Sequence, residues 1–147
     1  MKKVDSLLSD YAFYHRSRGN KVCHFIGIPL IIYSLFLLLR SVPLVESITA
    51  AELLLLLSFF YYVTLDLRLA LAMLVLSVLL DLAAWKTADF RIGIVAFLIG
   101  WIFQGIGHAV YEKRSPAFLR NLVHLMVGPI FLLNEVWHVR PVSPAAA

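Results

Sequence analysis

The sequence is short of charge and nearly devoid of cysteine. Charged residues are 15% of its 147 positions and hydrophobic ones 61%, against roughly 45–50% apolar in a soluble domain, and the mean hydropathy is +0.86. A soluble fold is excluded, and an integral membrane protein is expected. The single cysteine, Cys23, excludes an internal disulfide and reads as a small apolar residue at a helix end. No apolar signal core follows Met1-Lys2-Lys3, because residues 4–20 are mixed in character; the mature chain is therefore expected to start there. A phosphate-binding glycine loop, a nucleophile elbow, an HExxH and a paired CxxC are all missing, which removes support for nucleotide-driven and hydrolytic functions. There is no convincing internal repeat.

What is present is a series of apolar segments at residues 23–39, 47–65, 69–85, 92–111 and, less cleanly, 118–137, each near the ~20 residues that cross ~30 Å of hydrocarbon as helix. Ser41-Val42-Pro43 ends the first, Asp66-Leu67-Arg68 tightly links the second and third, and residues 86–91 join the third and fourth. Such short links force neighbouring helices to be antiparallel. The fifth segment is interrupted by Asn121, His124, Gly128-Pro129, Asn134 and Glu135. Gly128-Pro129 is expected to kink or break it, which is tolerated at membrane depth only against protein or a cavity. Within residues 5–18, Leu7, Leu8, Tyr11 and Tyr14 recur at helical spacing behind Asp5 or Ser6 as N-caps, the pattern of an amphipathic helix lying in the interface. The expected fold is all-α: a polytopic membrane helical bundle of four spanning helices, a broken fifth and an N-terminal interfacial helix. Residues 1–140 are expected to form a single integral membrane domain, with residues 141–147 a disordered tail.

The net charge of +4 does not point to nucleic acid, because the cations are sorted by side. If the first four segments each cross once, Lys2, Lys3, Arg16, Arg18, Lys21, Arg68, Lys113, Arg114 and Arg120 share one face, against Arg40, Lys86 and Arg91 on the other. The positive-inside rule then places the N-terminus and the first face in the cytoplasm, where some of these groups can meet anionic lipid headgroups.

The same count gathers histidines on that face. His24 opens the first segment, His108 closes the fourth, His124 enters the fifth, and His15 lies just before the first. His15 and His24, nine residues apart, fall on opposite faces of one uninterrupted helix at about 100° per residue; a bend at Gly19-Asn20 is therefore needed to join them. Gln104, His108 and Glu112 follow at steps of four, within roughly an 80° arc of one helix face. They offer an imidazole with an amide and a carboxylate to steer it. Asn20 and His24 make a second step of four, and Gly105 and Gly107 leave room for another helix or a substrate chain. Converging imidazoles suggest a metal site held by His15, His24, His108 and His124. Taken singly, each also reads as a hydrogen-bonded interfacial histidine.

Other polar groups are assigned to structure. Glu135-x-x-His138 has the spacing used in di-iron bundles but no second copy, so His138 goes to the surface and Glu135 either to a helix partner or to a group that supports the metal ligands. Asp81 and Glu52 fall toward the opposite face, where unpaired charge deeper in the membrane costs at least ~2.5 kcal/mol, and are expected to snorkel or to pair with Lys86, Arg91 or Arg40. Asp66 and Arg68 fall on the histidine side, at the rim of the site. The tight histidine boxes of membrane desaturases and hydroxylases are absent.

The segments Tyr11-Ala12-Phe13-Tyr14-His15, Asn20-Lys21-Val22-Cys23-His24-Phe25-Ile26-Gly27-Ile28-Pro29-Leu30, Tyr62-Val63-Thr64-Leu65-Asp66, Gln104-Gly105-Ile106-Gly107-His108, Glu112-Lys113-Arg114-Ser115-Pro116-Ala117 and Gly128-Pro129 with Glu135 resemble the 2-hydroxy fatty acid dioxygenase family. This is a family of small membrane proteins long carried as a domain of unknown function, with a yeast member in the endoplasmic reticulum. The resemblance runs over almost the whole chain. It rests on two paired patterns, His-x4-Asn-x3-His and Gln-x-x-Gly-His-x3-Glu-Lys-Arg-x-Pro.

The resemblance implies iron(II)-dependent α-oxidation, in which a 2-hydroxy fatty acid and O2 give an acid one carbon shorter, in a bacterial inner membrane or endoplasmic reticulum. Neutral imidazoles and open coordination positions suit that chemistry. The implied ligands are His15, His24, His108 and His124, the last resting on placement more than on the family pattern. Glu112, Gln104 and Asn20 would support them, Arg18, Lys113 and Arg114 would steer the substrate carboxylate, and the acyl chain would lie among the helices. The alternative is a non-enzymatic lipid-binding protein or small transporter, the latter less attractive without inverted halves.

Overall fold

The computed structural model describes residues 3–119 and 121–142. Six α-helices account for most of it: α1 Lys3–Phe13, α2 Arg18–Leu39, α3 Ala50–Leu65, α4 Leu67–Thr87, α5 Phe90–Ile106 and α6 Val123–Trp137. The all-α class expected from the sequence is observed, with one small addition. The link after α2 is an antiparallel hairpin of β1 Pro43–Val45 and β2 Ile48–Thr49, with Pro43 opposite Thr49. The second apolar segment therefore turns helical only at Ala50, where Thr49 and Glu52 form a reciprocal capping box.

Among the described residues, three helices are long and apolar enough to cross a membrane: α2, α4 and α5 together with its continuation to Glu112. Helix α3, at 16 residues, is about 24 Å long. The outward faces carry large apolar side chains, among them Leu57, Phe60, Val75, Leu79, Leu98 and Ile102, all more than half exposed. Such a belt is what lipid contact requires.

Helix α2 runs down the middle and packs on α3, α4, α5 and α6. Its close crossing with α5 depends on two glycines. A side chain on Gly27 would meet the Gly100 carbonyl at 2.8 Å, and one on Gly100 would meet the Gly27 carbonyl at 3.0 Å, so the backbones approach as small-residue helix pairs do. Between α3 and α4 a single residue, Asp66, makes the turn and caps α4 through bonds from the Arg68 and Leu69 N–H groups at 2.9 and 3.1 Å. Arg140 binds the other oxygen of Asp66, while the Asn134 amide exchanges bonds with the Arg140 backbone at 2.8 and 3.2 Å. Of the tail placed at residues 141–147, Val142 packs against the main core, and residues 143–147 lie outside the described residues, as do Lys2 and Arg120.

Several expectations are corrected. Helix α1 is already formed at Lys3, and the Ser6 hydroxyl donates back to the Lys3 carbonyl instead of capping. Val4, Leu8 and Tyr11 bury α1 against the bundle, where it packs on α6. The bend between His15 and His24 falls at residues 14–17, not at Gly19-Asn20. The reason is the cap: Ser17 accepts from the Asn20 N–H at 3.1 Å, so Gly19 and Asn20 lie inside the first turn of α2. Helix α6 starts only at Val123 and continues through Pro129, unbroken. Residues Val127 to Leu132 are buried in the bundle, so protein surrounds the helix at the proline, as a disrupted helix at membrane depth requires. One turn away, Tyr62 donates to the Met126 carbonyl at 2.9 Å.

At the end away from the histidines, Arg40 joins three helices. It grips Asp81 of α4 with two bonds of 3.0 and 2.6 Å and reaches Glu52 of α3 at 3.3 Å. The two acids expected near that face thus share one of the cations named for them.

Candidate metal centre

His15, His24 and His108 come together. Their side chains are 2–3% exposed, and one ring nitrogen from each lies within 4.8 Å of the others. Ring centroids stand 4.5 to 5.0 Å apart, all near perpendicular. Three separate elements deliver them: the α1–α2 turn, the second turn of α2, and the end of α5. There the helix widens to a π-helical turn over Gly107–Glu112, a distortion frequent at functional sites. The even step-of-four spacing from Gln104 to Glu112 therefore does not persist.

Hydrogen bonding fixes the imidazoles' orientation. His15 Nδ1 lies 2.7 Å from the Tyr11 carbonyl and His24 Nδ1 lies 2.9 Å from the Asn20 carbonyl. A carbonyl accepts only, so both Nδ1 atoms carry the proton and both Nε2 atoms present lone pairs. Yet those two Nε2 atoms face each other at 3.1 Å. Moving a proton between them would set an Nδ1 lone pair against a carbonyl oxygen. Adding one would charge a buried ring, and burial first, then neighbouring His24, push the His15 imidazole down to about 2. A cation resolves the conflict, since 3.1 Å is a spacing two imidazoles reach when both bond one ion at about 2.1 Å each. Among the described residues, His108 Nδ1 is likewise buried without a hydrogen-bond partner. The donor set fits a divalent transition metal.

The Glu112 carboxylate binds donors of the α1–α2 joint. Its oxygens accept from the Arg16 N–H at 3.1 Å, the Ser17 N–H at 3.0 Å and Asn20 Nδ2 at 3.1 Å. It thus locks the π-turn onto the α1–α2 joint and places a carboxylate at the N-terminus of α2, where the helix dipole favours it. Asn20 is fully buried and supports the site twice, through Glu112 and through its own carbonyl on His24. A side chain on Gly107 would collide with Asn20, so this glycine does permit a close helix approach. Gly105 faces open space and does not.

His124 stands outside the group of three. It is buried on α6, with Nε2 2.8 Å from Asp10 Oδ2 and its ring 5.9 Å from that of Tyr11. His138 is exposed in the left-handed C-cap of α6 and Glu135 pairs with Lys21 at 2.7 Å, so no Glu-x-x-His site forms. Arg18, Lys113 and Arg114 are exposed. Arg114 and Arg16 both stack on Phe13, at 5.2 and 4.7 Å from its centroid. Sequence reasoning missed Tyr11 as part of the site, although its place four residues before His15 was a usable signal. Its ring lies parallel to that of His15 at 3.9 Å, and its carbonyl holds Nδ1. Asp10 left no such signal, being distant in sequence from His124.

The three histidines open on a cavity of about 440 Å³. Beyond them its wall is almost wholly apolar, including Ile28, Ile32, Leu35, Phe36, Leu54 and Met73. Two polar groups, Gln104 Nε2 and Trp101 Nε1, are buried without hydrogen-bond partners among the described residues, and both residues line it as well.

Fold and site define an apolar helical bundle with a buried, metal-competent trio of imidazoles at the head of a lipid-sized cavity. The chain belongs to the family described as 2-hydroxy-palmitic acid dioxygenase Mpo1-like, which it matches over residues 1–139, in agreement with the resemblance read from its motifs. It is similar to the 2-hydroxy-palmitic acid dioxygenase MPO1 of Saccharomyces cerevisiae, with 38% identity over 137 residues, covering 88% of this chain and 77% of the yeast protein. No solved structure matches it.

Proposed function

We propose that this protein is an iron(II)-dependent membrane dioxygenase that converts a 2-hydroxy fatty acid and O2 into the acid one carbon shorter, with CO2 and water. The observation that carries the proposal is the pair of Nε2 lone pairs held face to face at 3.1 Å in a group of three buried imidazoles. Family membership supports the substrate class.

His15, His24 and His108 hold the ion, with the first two kept in one tautomer by the Tyr11 and Asn20 carbonyls. Bound there, iron(II) supplies the redox chemistry that lets O2 react with the 2-hydroxy acid. Gln104, whose buried Nε2 has no hydrogen-bond partner among the described residues and which lines the cavity, donates a hydrogen bond to the polar end of the substrate. The apolar wall takes the acyl chain and excludes water. Exposed Arg18, Lys113 and Arg114 attract the carboxylate toward the entrance. His124, paired with Asp10, shapes the wall and is dispensable for holding the metal.

The first four apolar segments span the bilayer with the N-terminus and the imidazoles on the cytoplasmic side. This reading is supported by the bias of cations toward that face and is tested by labelling single cysteines introduced at Lys113 and Lys86 from either side of sealed vesicles. Equal labelling of both from one side contradicts it.

The apolar cavity would also suit a non-enzymatic lipid carrier, but a carrier has no use for converging lone pairs. Incubating the iron-loaded protein with 2-hydroxy acids under O2 separates the two readings. Shortened acid, lost in His24→Ala and His108→Ala, is expected; bound but unaltered lipid would favour the carrier.

A further inference from the structure

The cavity has a defined far end. His24 and Phe36 both line it and stand twelve residues apart on α2, about 18 Å at the rise of a helix. Helix α3 runs the opposite way, so Leu54, one turn from its start, is the α3 lining residue deepest from the histidines, while Tyr62 lies near them. Phe36 is 2% exposed and rests on a second hydrophobic cluster with Leu37, Ala51 and Ala84, against which Leu54 also packs. Beyond that cluster lies the Arg40–Asp81–Glu52 clamp. The bottom of the cavity is therefore braced from behind, while its head is fixed by the imidazoles.

We infer that Phe36 and Leu54 form the floor of the acyl site and set the longest chain the enzyme accepts. The inference rests on reading the cavity as the acyl site. A substrate anchored at its polar end reaches a fixed depth for each added methylene, and a pocket that refuses one methylene discriminates by roughly tenfold or more. Removing bulk at the floor deepens the site, whereas adding it makes the site shallower. The side walls run alongside the chain and do not meet its end, so they do not measure length in this way.

The test uses the full-length protein in detergent with a series of 2-hydroxy acids of graded length, reading both turnover and displacement of a fluorescent fatty acid. Phe36→Ala, with Phe36→Leu as the milder change, is expected to move the optimum toward longer acids, and Leu54→Phe toward shorter ones. Selectivity between the wild-type optimum and the next longer chain should change by at least about tenfold in Phe36→Ala. Folded variants with the wild-type length profile in both readouts would overturn the inference. If wild type turns over no acid of any length, the dioxygenase reading fails separately. The displacement profile then still decides the floor: an unchanged profile overturns it, and opposite shifts in the Phe36 and Leu54 variants support it.

Discussion

Replacing Glu112 by glutamine tests whether the carboxylate, through the donors it binds, governs the position of the imidazoles. One oxygen accepts from the Arg16 N–H and the other from the Ser17 N–H and Asn20 Nδ2. A glutamine oxygen can replace the second, but its NH2 group then faces the Arg16 N–H, donor against donor. The loss is one charge-assisted hydrogen bond, worth about 1.5–3 kcal/mol, and the interaction with the start of α2, about 0.3–1 kcal/mol. Partial exposure of Glu112 puts the total near the low end, about 2 kcal/mol. For a chain of this length, that lowers Tm by about 4–8 °C, measurable by intrinsic fluorescence in detergent. His15 adjoins Arg16, and Asn20 carries the carbonyl that orients His24, so Glu112→Gln should also weaken iron retention in a competition assay with a chelator. A Tm within about 1 °C of wild type together with unchanged iron retention would refute the reasoning.

Arg40→Met leaves Asp81 without its partner at the opposite end of the bundle; it should cost about 2 kcal/mol or more while leaving iron content intact, and a loss of iron would show that the two ends are not independent. At Asp66, burial raises the carboxyl, but Arg140 and the Leu69 and Arg68 N–H groups outweigh it and hold the carboxyl below its ordinary value of 3.8. A group depressed in the folded state contributes stability that is complete above 3.8 and is lost as pH falls through its folded value. Asp66→Asn should therefore be less stable than wild type at neutral pH, with the difference narrowing as the pH drops below 3.8. A difference constant with pH would contradict the assignment.

The helical class, the apolar segments and three metal-competent histidines were legible because period, length and spacing are local properties of the chain. His108 and His24 stand out in a single pass. The bend between His15 and His24 was legible as a necessity, but its position was not. Gly19-Asn20 and Ser17 both look like stops, and the choice depended on Glu112, far along the chain, holding the Arg16 and Ser17 N–H groups. The same tertiary contact gives Glu112 a task at the helix joint that its spacing from His108 did not announce. Pro129 reads locally as a kink or a break; the helix runs on through it, with α6 buried between Val127 and Leu132. The π-turn at Gly107 has no period of its own to read. His124, judged by placement alone, shared a membrane level with the others, but its partner Asp10 could be found only in three dimensions.

Anaerobic titration of the purified protein with iron(II), followed by quantification of bound metal, tests the central claim most directly. One tightly held iron per chain is predicted for wild type and for His124→Ala, with binding abolished or greatly weakened by His15→Ala, His24→Ala and His108→Ala in folded protein. No iron bound by wild type, or undiminished binding in all three of those variants, would contradict it.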